Sequence, residues 1–244
     1  MQERTDPTQS FEITSLSVFF PCYNEKDSVR SLTEKTLSVI AEICTDYEVI
    51  LVDDGSSDGT STIADQLAHE YPAVRVIHHP QNKGYGAALQ SGFRAATKDY
   101  VFYTDGDGQF NIGELPKLLP LIKTYDIVSA YRIRRQDNMI RKINAYCWTK
   151  LVGFLFHLNL KDIDCAFKLY KREIFDHIEM HSTGALIDTE ILARAQRKGY
   201  TMTQIGVHHY PRLAGQQTGA TVKVILRAFK ELFKLRKEIL KTPS

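Results

Sequence analysis

No stretch of this 244-residue chain approaches the ~18 uninterrupted apolar residues of a membrane-spanning helix, so no span is expected. Cysteine is sparse. Cys22, Cys44, Cys147 and Cys165 stand far apart with no C-x-x-C pair, which argues against a disulfide framework or a zinc site and for a reducing compartment. Charge of one sign is lacking too: 31 Lys and Arg against 29 Asp and Glu leave a formal +2, too little for a general nucleic-acid binder. Residues 1–10 are polar and contain no apolar signal-peptide core, so the expected location is cytoplasmic. Walker loop, nucleophile elbow and H-E-x-x-H helix are all missing, as are internal repeats and low-complexity tracts. The composition that remains, 43% hydrophobic and 25% charged, is that of a globular protein long enough for one domain with a sizeable core.

The first half alternates two periodicities. Strand-like runs at Leu16–Phe20, Tyr47–Val52, Val74–His78 and Tyr100–Thr104 are separated by helical patterns at Lys26–Cys44, Asp58–Glu70 and Tyr85–Thr97. This rhythm predicts an α/β fold, a mainly parallel sheet with helices on both faces. The second half is less regular: strands at Ile127–Ala130, Cys165–Tyr170 and Thr201–Tyr210, helices at Met139–Leu158 and Asp188–Lys198, and a polar loop at Gly215–Thr221. The expected organisation is a polar extension over 1–14, one domain over 15–218, and a basic amphipathic helix over 219–244. That helix sets Val224, Ile225, Ala228, Leu232 and Leu235 at helical spacing among Lys223, Arg227, Lys230, Lys234, Arg236, Lys237 and Lys241.

Ligands on parallel sheets collect beyond the carboxyl ends of the strands, and the acidic residues gather there. Asp105-Gly106-Asp107-Gly108-Gln109 follows Tyr100–Thr104, and Asp53-Asp54-Gly55-Ser56 follows Tyr47–Val52. In extended backbone Asp105, Asp107 and Gln109 share one side, and two carboxylates with an amide oxygen suit Mg²⁺ or Mn²⁺. Such an ion commonly neutralises a departing diphosphate, so the pattern suggests a nucleotide-handling crevice. A calcium loop fits poorly. Asp54-x-Ser56-x-Asp58-Gly59 with Asp65 has the spacing, but a strand-like run precedes it where a helix is required. Gly84-x-Gly86 lies after the third strand and lacks the last glycine of a dinucleotide fingerprint, so these glycines read as close-packing positions. The adjacent pair His208-His209 would place only one ring in any site.

Pro21-Cys22-Tyr23-Asn24-Glu25, Asp53-Asp54-Gly55-Ser56, Asn82-x-Gly84-x-Gly86-x-Ala88 and Asp105-x-Asp107-x-Gln109 occur in this order. Together they resemble glycosyltransferase family 2, and within it the dolichyl-phosphate mannose synthase-like branch of polyprenyl-phosphate glycosyltransferases. The resemblance covers roughly residues 16–218. It implies a GT-A fold, a GDP- or UDP-sugar donor, Mg²⁺ or Mn²⁺, and inversion at the sugar carbon. By position, Pro21, Tyr23, Glu25, Val52, Asp54 and Lys83 would surround the nucleotide, Asp105 and Gly106 would meet the donor, and Asp107 and Gln109 would hold the metal. Arg132, Glu190 and Arg212 resemble the family's remaining site residues, Arg212 at the diphosphate. Two positions depart from the pattern: Thr218 stands where the family has a lysine, and Cys165 replaces the glycine of a D-x-x-G-x-F motif beginning at Asp162.

The acceptor divides the readings. A polyprenyl phosphate arrives anionic and needs a cationic cradle, which Arg132 and the basic stretch to Lys142 would supply. A glycan or soluble hydroxyl needs a base such as Asp188 or Glu190. A non-catalytic nucleotide-sugar-binding subunit is the remaining alternative. A polyprenyl acceptor further implies a membrane surface or a membrane-anchored partner, reached by the basic tail helix.

Overall fold

The computed structural model describes residues 13–133, 139–211 and 222–241, with the backbone alone for 139–143 and 222–228. Its centre is one seven-stranded sheet. The first two strands, β1 (Ser15–Cys22) and β2 (Asp46–Asp53), pair in parallel and are buried along almost their whole length. Their near-continuous apolar runs are those of strands covered on both faces. β3 (Val74–His78) extends the sheet beside β2, and β4 (Tyr100–Thr104) lies on the other side of β1. Sequence order therefore reverses at β1, and the crevice beyond the ends of β1 and β4 is a topological switch point.

The helices connecting these strands are α1 (Val29–Ala41), α2 (Thr60–Glu70) and α3 (Tyr85–Ala95). The sequence places the start of the first helix at Lys26. Helical structure begins later because the Glu25 carbonyl already accepts from the Ser28 and Val29 amides, while Asn24 turns through φ 57°. Residues 23–28 are thereby left as a turn at the end of β1.

Beyond β4 a 3-10 stretch (Ile112–Leu118) and the short α4 (Leu119–Ile122) lead to β5 (Ile127–Ile133). Then come α5 (Met139–Phe156), β6 (Phe167–Lys171), α6 (Ile174–His177), α7 (Ile187–Arg197), β7 (Met202–His208) and α8 (Val222–Lys241). β6 inserts antiparallel between β4 and β5, giving the order β3-β2-β1-β4-β6-β5-β7. The expectation of a mainly parallel sheet holds, with this one reversed strand.

Alternation along the strands builds two aromatic layers. Phe19 and Tyr103 stack on one face, where Phe93 of α3 packs edge-on against both, and Phe175 of α6 stacks on Phe93. Phe102, Phe167 and Phe110 fill the opposite face. Among the described residues no helix is long and apolar enough to cross a membrane. On α8, Leu232, Leu235 and Ile239 are buried against the domain, and its Arg236 donates to the Leu155 carbonyl of α5. Part of the apolar stripe that the sequence offers to a membrane is thus used for docking.

Candidate active site

Three turns converge at the carboxyl ends of β1, β2 and β4. They line a crevice of about 280 Å³ with Pro21, Cys22, Tyr23, Glu25, Asp54, Asn82, Tyr85, Ala88, Asp105, Gly106 and Asp107. The first two turns hold each other. Asn24 donates its amide to the Ser56 hydroxyl at 3.0 Å and accepts from the Ser57 amide at 2.9 Å, while the Glu25 amide donates to Thr60 Oγ1 at 2.8 Å. Asp53, buried beneath them, accepts from the Ser56 amide and the Ser61 hydroxyl and contacts His78. Burial raises its pKa, but these hydrogen bonds outweigh it and hold the carboxyl below the ordinary range.

Asp54 is only 3% exposed and is fully engaged. Its Oδ1 lies 2.6 Å from His79 Nδ1 and accepts from the Lys83 amide at 2.9 Å, while Oδ2 accepts from the Gly84 amide, also at 2.9 Å. The other His79 nitrogen lies 2.9 Å from Ser91 Oγ. Asp54 therefore reaches the crevice as the anchor of the loop into α3. Lys83 belongs to the site through its backbone, its side chain being exposed beside the crevice. Val52 sits inside the sheet at 0% exposure and is not among the lining residues, so its contribution is support from behind.

Gly84 and Gly86 admit a second segment rather than a phosphate. Gly84 has φ +98°, and a Cβ on it would lie 2.6 Å from the Thr183 carbonyl oxygen. A Cβ on Gly86 would lie 2.4 Å from the Ser182 oxygen. The Gly86 amide donates to the Thr183 carbonyl, and Gln90 donates to that of Ser182. The 182–184 loop is held from the other side by Glu190 of α7. This carboxylate is 0% exposed, accepts from the amides of His181 and Ser182 at 3.0 and 2.7 Å, and pairs with Arg194. Glu190 accordingly positions a wall of the site and does not open into the crevice.

The third turn carries the densest charge. Asp105 accepts from the Tyr85 hydroxyl at 3.0 Å. Burial foremost, and Asp107 next, lift its carboxyl from the usual 3.8 to about 7. Residues 106–107 form a turn and not the extended backbone that the alternation requires; Asp107 accepts from the Gln109 amide at 3.0 Å, and both acids line the crevice. Gln109 differs: its side chain donates to the Tyr210 carbonyl at 2.9 Å and lies outside the lining set. Gly106 passes so close to β1 that a Cβ would meet the Pro21 oxygen at 2.9 Å.

Arg132, near the end of β5, is held apart from these acids. Its Nε and a terminal nitrogen grip Asp162 at 2.8 and 2.9 Å, a bidentate pair that fixes the guanidinium plane. Arg212 lies outside the described residues, as do Gly215 and Thr218. Cys165, the residue in place of a glycine, is fully buried, and its carbonyl accepts from Lys168 Nζ at 2.7 Å.

Sequence reading missed Tyr85, His79 and Lys168. Lys168 had a signal, because a lysine inside the apolar strand Phe167–Tyr170 needs a buried counter-charge, here Asp188 at 2.6 Å. His79 had none, since its link to Asp54 depends on the pairing of β2 with β3.

Residues 17–179 match the family described as Glycosyl transferase family 2. An undecaprenyl-phosphate 4-deoxy-4-formamido-L-arabinose transferase from Yersinia enterocolitica is 30% identical over 224 residues, covering 89% of this chain and 66% of that protein. The protein of the same name from Photorhabdus laumondii is 32% identical over 88% of this chain and 66% of its own length. The chain thus spans 66% of the length of these curated relatives. Among solved structures, glucosyl-3-phosphoglycerate synthase from Mycobacterium tuberculosis, in complex with Mn²⁺, UDP and phosphoglyceric acid, matches with a TM-score of 0.72 at 17% identity. That likeness covers 95% of this chain and 80% of the other and is one of fold. The acidic turns meeting at the β1–β4 switch point lie inside the matched segment, and the chain belongs to glycosyl transferase family 2, with a GT-A fold.

Proposed function

We propose that this chain moves a sugar from a nucleoside-diphosphate sugar to a polyprenyl phosphate, with a divalent cation, at a membrane surface. One observation carries the donor half. Among the described residues the crevice is lined by four carboxylates, Glu25, Asp54, Asp105 and Asp107, and by no Lys or Arg. These acids repel a diphosphate unless a cation comes too.

The residues present fit Mg²⁺ or Mn²⁺. Burial, and after it the charge of Asp107, lifts the Asp105 carboxyl to about 7, a cost to ionisation that a cation relieves. Among the described residues no cluster of three His, Cys, Asp or Glu is poised around a metal. Such a shortage suits an ion whose remaining ligands are waters and substrate phosphates. Asp107 would hold it, with Gln109 once its amide leaves Tyr210. When bound, the ion would supply charge neutralisation of the departing diphosphate. The protein's own part is placement: Asp54 and His79 fix the Lys83–Gly84 loop, Pro21, Tyr23 and Glu25 offer a wall for the nucleoside, and Asp105 meets the donor. Arg212 is assigned to the diphosphate on resemblance alone.

The acceptor half rests on what the remaining acids are doing. Asp188 is tied to Lys168 and Tyr103, and Glu190 to Arg194 and two backbone amides. Neither is placed to take a proton from a hydroxyl, whereas a phosphate acceptor needs no base. Arg132, its plane set by Asp162, would meet that phosphate with its other terminal nitrogen. The relatives' names, which carry undecaprenyl phosphate, support the same choice.

A membrane approach is supported by the surface of α5 and α8. Five of the seven large apolar side chains exposed among the described residues lie there: Tyr146, Phe154, Phe229, Phe233 and Leu240. The two helices touch through Trp148 and Phe229, with ring centroids 5.7 Å apart. Exposed Lys150, Lys230, Lys234, Lys237 and Lys241 surround these aromatics, a combination that favours an anionic interface.

The test is transfer by the purified chain from a panel of UDP- and GDP-sugars to undecaprenyl phosphate in detergent. Lipid-linked product is expected with Mg²⁺ or Mn²⁺ and not in EDTA, and Asp107→Ala should abolish it without changing the melting temperature. Glycosylation of soluble hydroxyl acceptors, with the lipid left untouched, would replace this reading by the glycan alternative.

A further inference from the structure

Behind the crevice runs a line of buried polar groups that the proposed chemistry does not use. Tyr85, at the start of α3, donates its hydroxyl proton to Asp105 Oδ1 at 3.0 Å. Tyr103 of β4 donates to Asp188 of α7 and accepts from Lys168 Nζ of β6 at 3.0 Å. The ammonium is saturated by its bonds to Tyr103, to Asp188 at 2.6 Å and to the Cys165 carbonyl at 2.7 Å. Tyr103 and Lys168 are 0% exposed, and Asp188 is 3% exposed.

Stability alone does not account for this arrangement, because a buried ion pair is often replaceable by apolar side chains at no loss. Its geometry supplies a different account. Lys168 and Asp188 leave the Tyr103 hydroxyl no freedom: its proton goes to Asp188 and its oxygen receives the ammonium. With Tyr103 engaged elsewhere, the Tyr85 hydroxyl gives its proton to Asp105. A carboxylate is the stronger acceptor, so the direction of that bond is set. Asp105 needs such a restraint because its neighbour Asp107 pushes it away.

From this geometry we infer that Tyr85 is a positioning residue for the donor site. Its hydroxyl aims Asp105 at the metal-bound diphosphate. The inference rests on the nucleotide reading of the crevice.

The test is diphosphate binding. Calorimetry measures UDP and GDP, each with Mn²⁺, against the wild type, Tyr85→Phe and Tyr103→Phe, and UMP and GMP without metal serve as controls. Phenylalanine keeps each ring in place, so only the hydroxyls are lost. Tyr85→Phe should weaken metal-dependent diphosphate binding about tenfold, the scale of one hydrogen bond to a charged group. Monophosphate binding should stay within about twofold, a split that general damage to the pocket would not give. Tyr103→Phe removes a hydroxyl that does not bond Asp105 and should cost diphosphate binding less than Tyr85→Phe does. Wild-type affinity in Tyr85→Phe overturns the inference, as does an equal or larger loss in Tyr103→Phe. If Tyr103→Phe does not fold, the diphosphate-against-monophosphate split in Tyr85→Phe decides the matter. Failure of the wild type to bind either diphosphate rejects the nucleotide reading itself and the inference with it.

Discussion

The two carboxylates of the Asp105–Asp107 turn make metal binding a proton-releasing event, and its size follows from the structure. Burial and Asp107 hold Asp105 at about 7, so near neutrality the metal-free carboxyl is about half protonated. A divalent cation in the turn favours the ionised form, and binding must displace that proton. The apparent metal affinity then scales with the fraction of carboxylate already ionised. Between about pH 7.5 and about pH 6 that fraction falls from roughly three quarters to roughly one tenth, an expected loss of about eightfold in affinity. Calorimetric titration of Mn²⁺ into the nucleotide-free protein, in buffers of different ionisation enthalpy, reads both quantities. About half a proton should be released per ion at about pH 7, and nearly a whole one at about pH 6. Asp105→Asn should flatten the dependence. Without metal the sign reverses for stability: a carboxyl raised in the folded state lends stability that is present in acid and is lost as pH rises through its folded pKa. A pH-independent affinity with no proton released would refute the crowding of the two acids and with it their reading as a cation site.

Three further outcomes follow from specific contacts. Gly86→Ala should destabilise the fold by about 2 kcal/mol or more and weaken nucleotide binding, because its Cβ would meet a backbone oxygen at 2.4 Å; chemical denaturation and calorimetry check it. Arg132→Ala should cost about 2–4 kcal/mol in denaturant unfolding through loss of its bidentate pair with the largely buried Asp162, whereas Arg132→Met with Asp162→Leu should recover most of that stability and still fail to use the lipid phosphate. In vesicle flotation the chain should rise with anionic liposomes at low salt, less at high salt, and less again when Phe233 and Phe154 are both changed to Ser; equal flotation with neutral vesicles would remove the basic contribution.

What the sequence made legible was whatever depends on neighbours along the chain. The β-α rhythm yields the sheet and its helices, and the acidic turns announce their own positions at strand ends. Asp105 and Asp107 both reach the crevice, though through a turn and not through extended alternation. Contacts between distant segments were not legible. β6 reverses and slides between β4 and β5, and nothing local to Phe167–Lys171 states which strands it will join. For the same reason Gly84 and Gly86 read only as close-packing positions, and their partner, the 182–184 loop ahead of α7, lies about a hundred residues on. Glu190 was placed in the chemistry by its position in a motif. Its burial and its two backbone donors assign it to the wall instead, a difference that only packing decides.

The roles of the acids sort by what already occupies their oxygens. Asp53, Asp54, Asp188 and Glu190 are each saturated by protein donors, and such carboxylates serve as struts because a ligand would have to displace bonds already made. Asp105 and Asp107 have fewer protein donors than their charge demands, and both line the crevice. On the proposed reading a divalent cation relieves that charge and enters with the diphosphate. Asp188 and Glu190 are committed to protein donors, which favours the proposed acceptor, one that is already an anion.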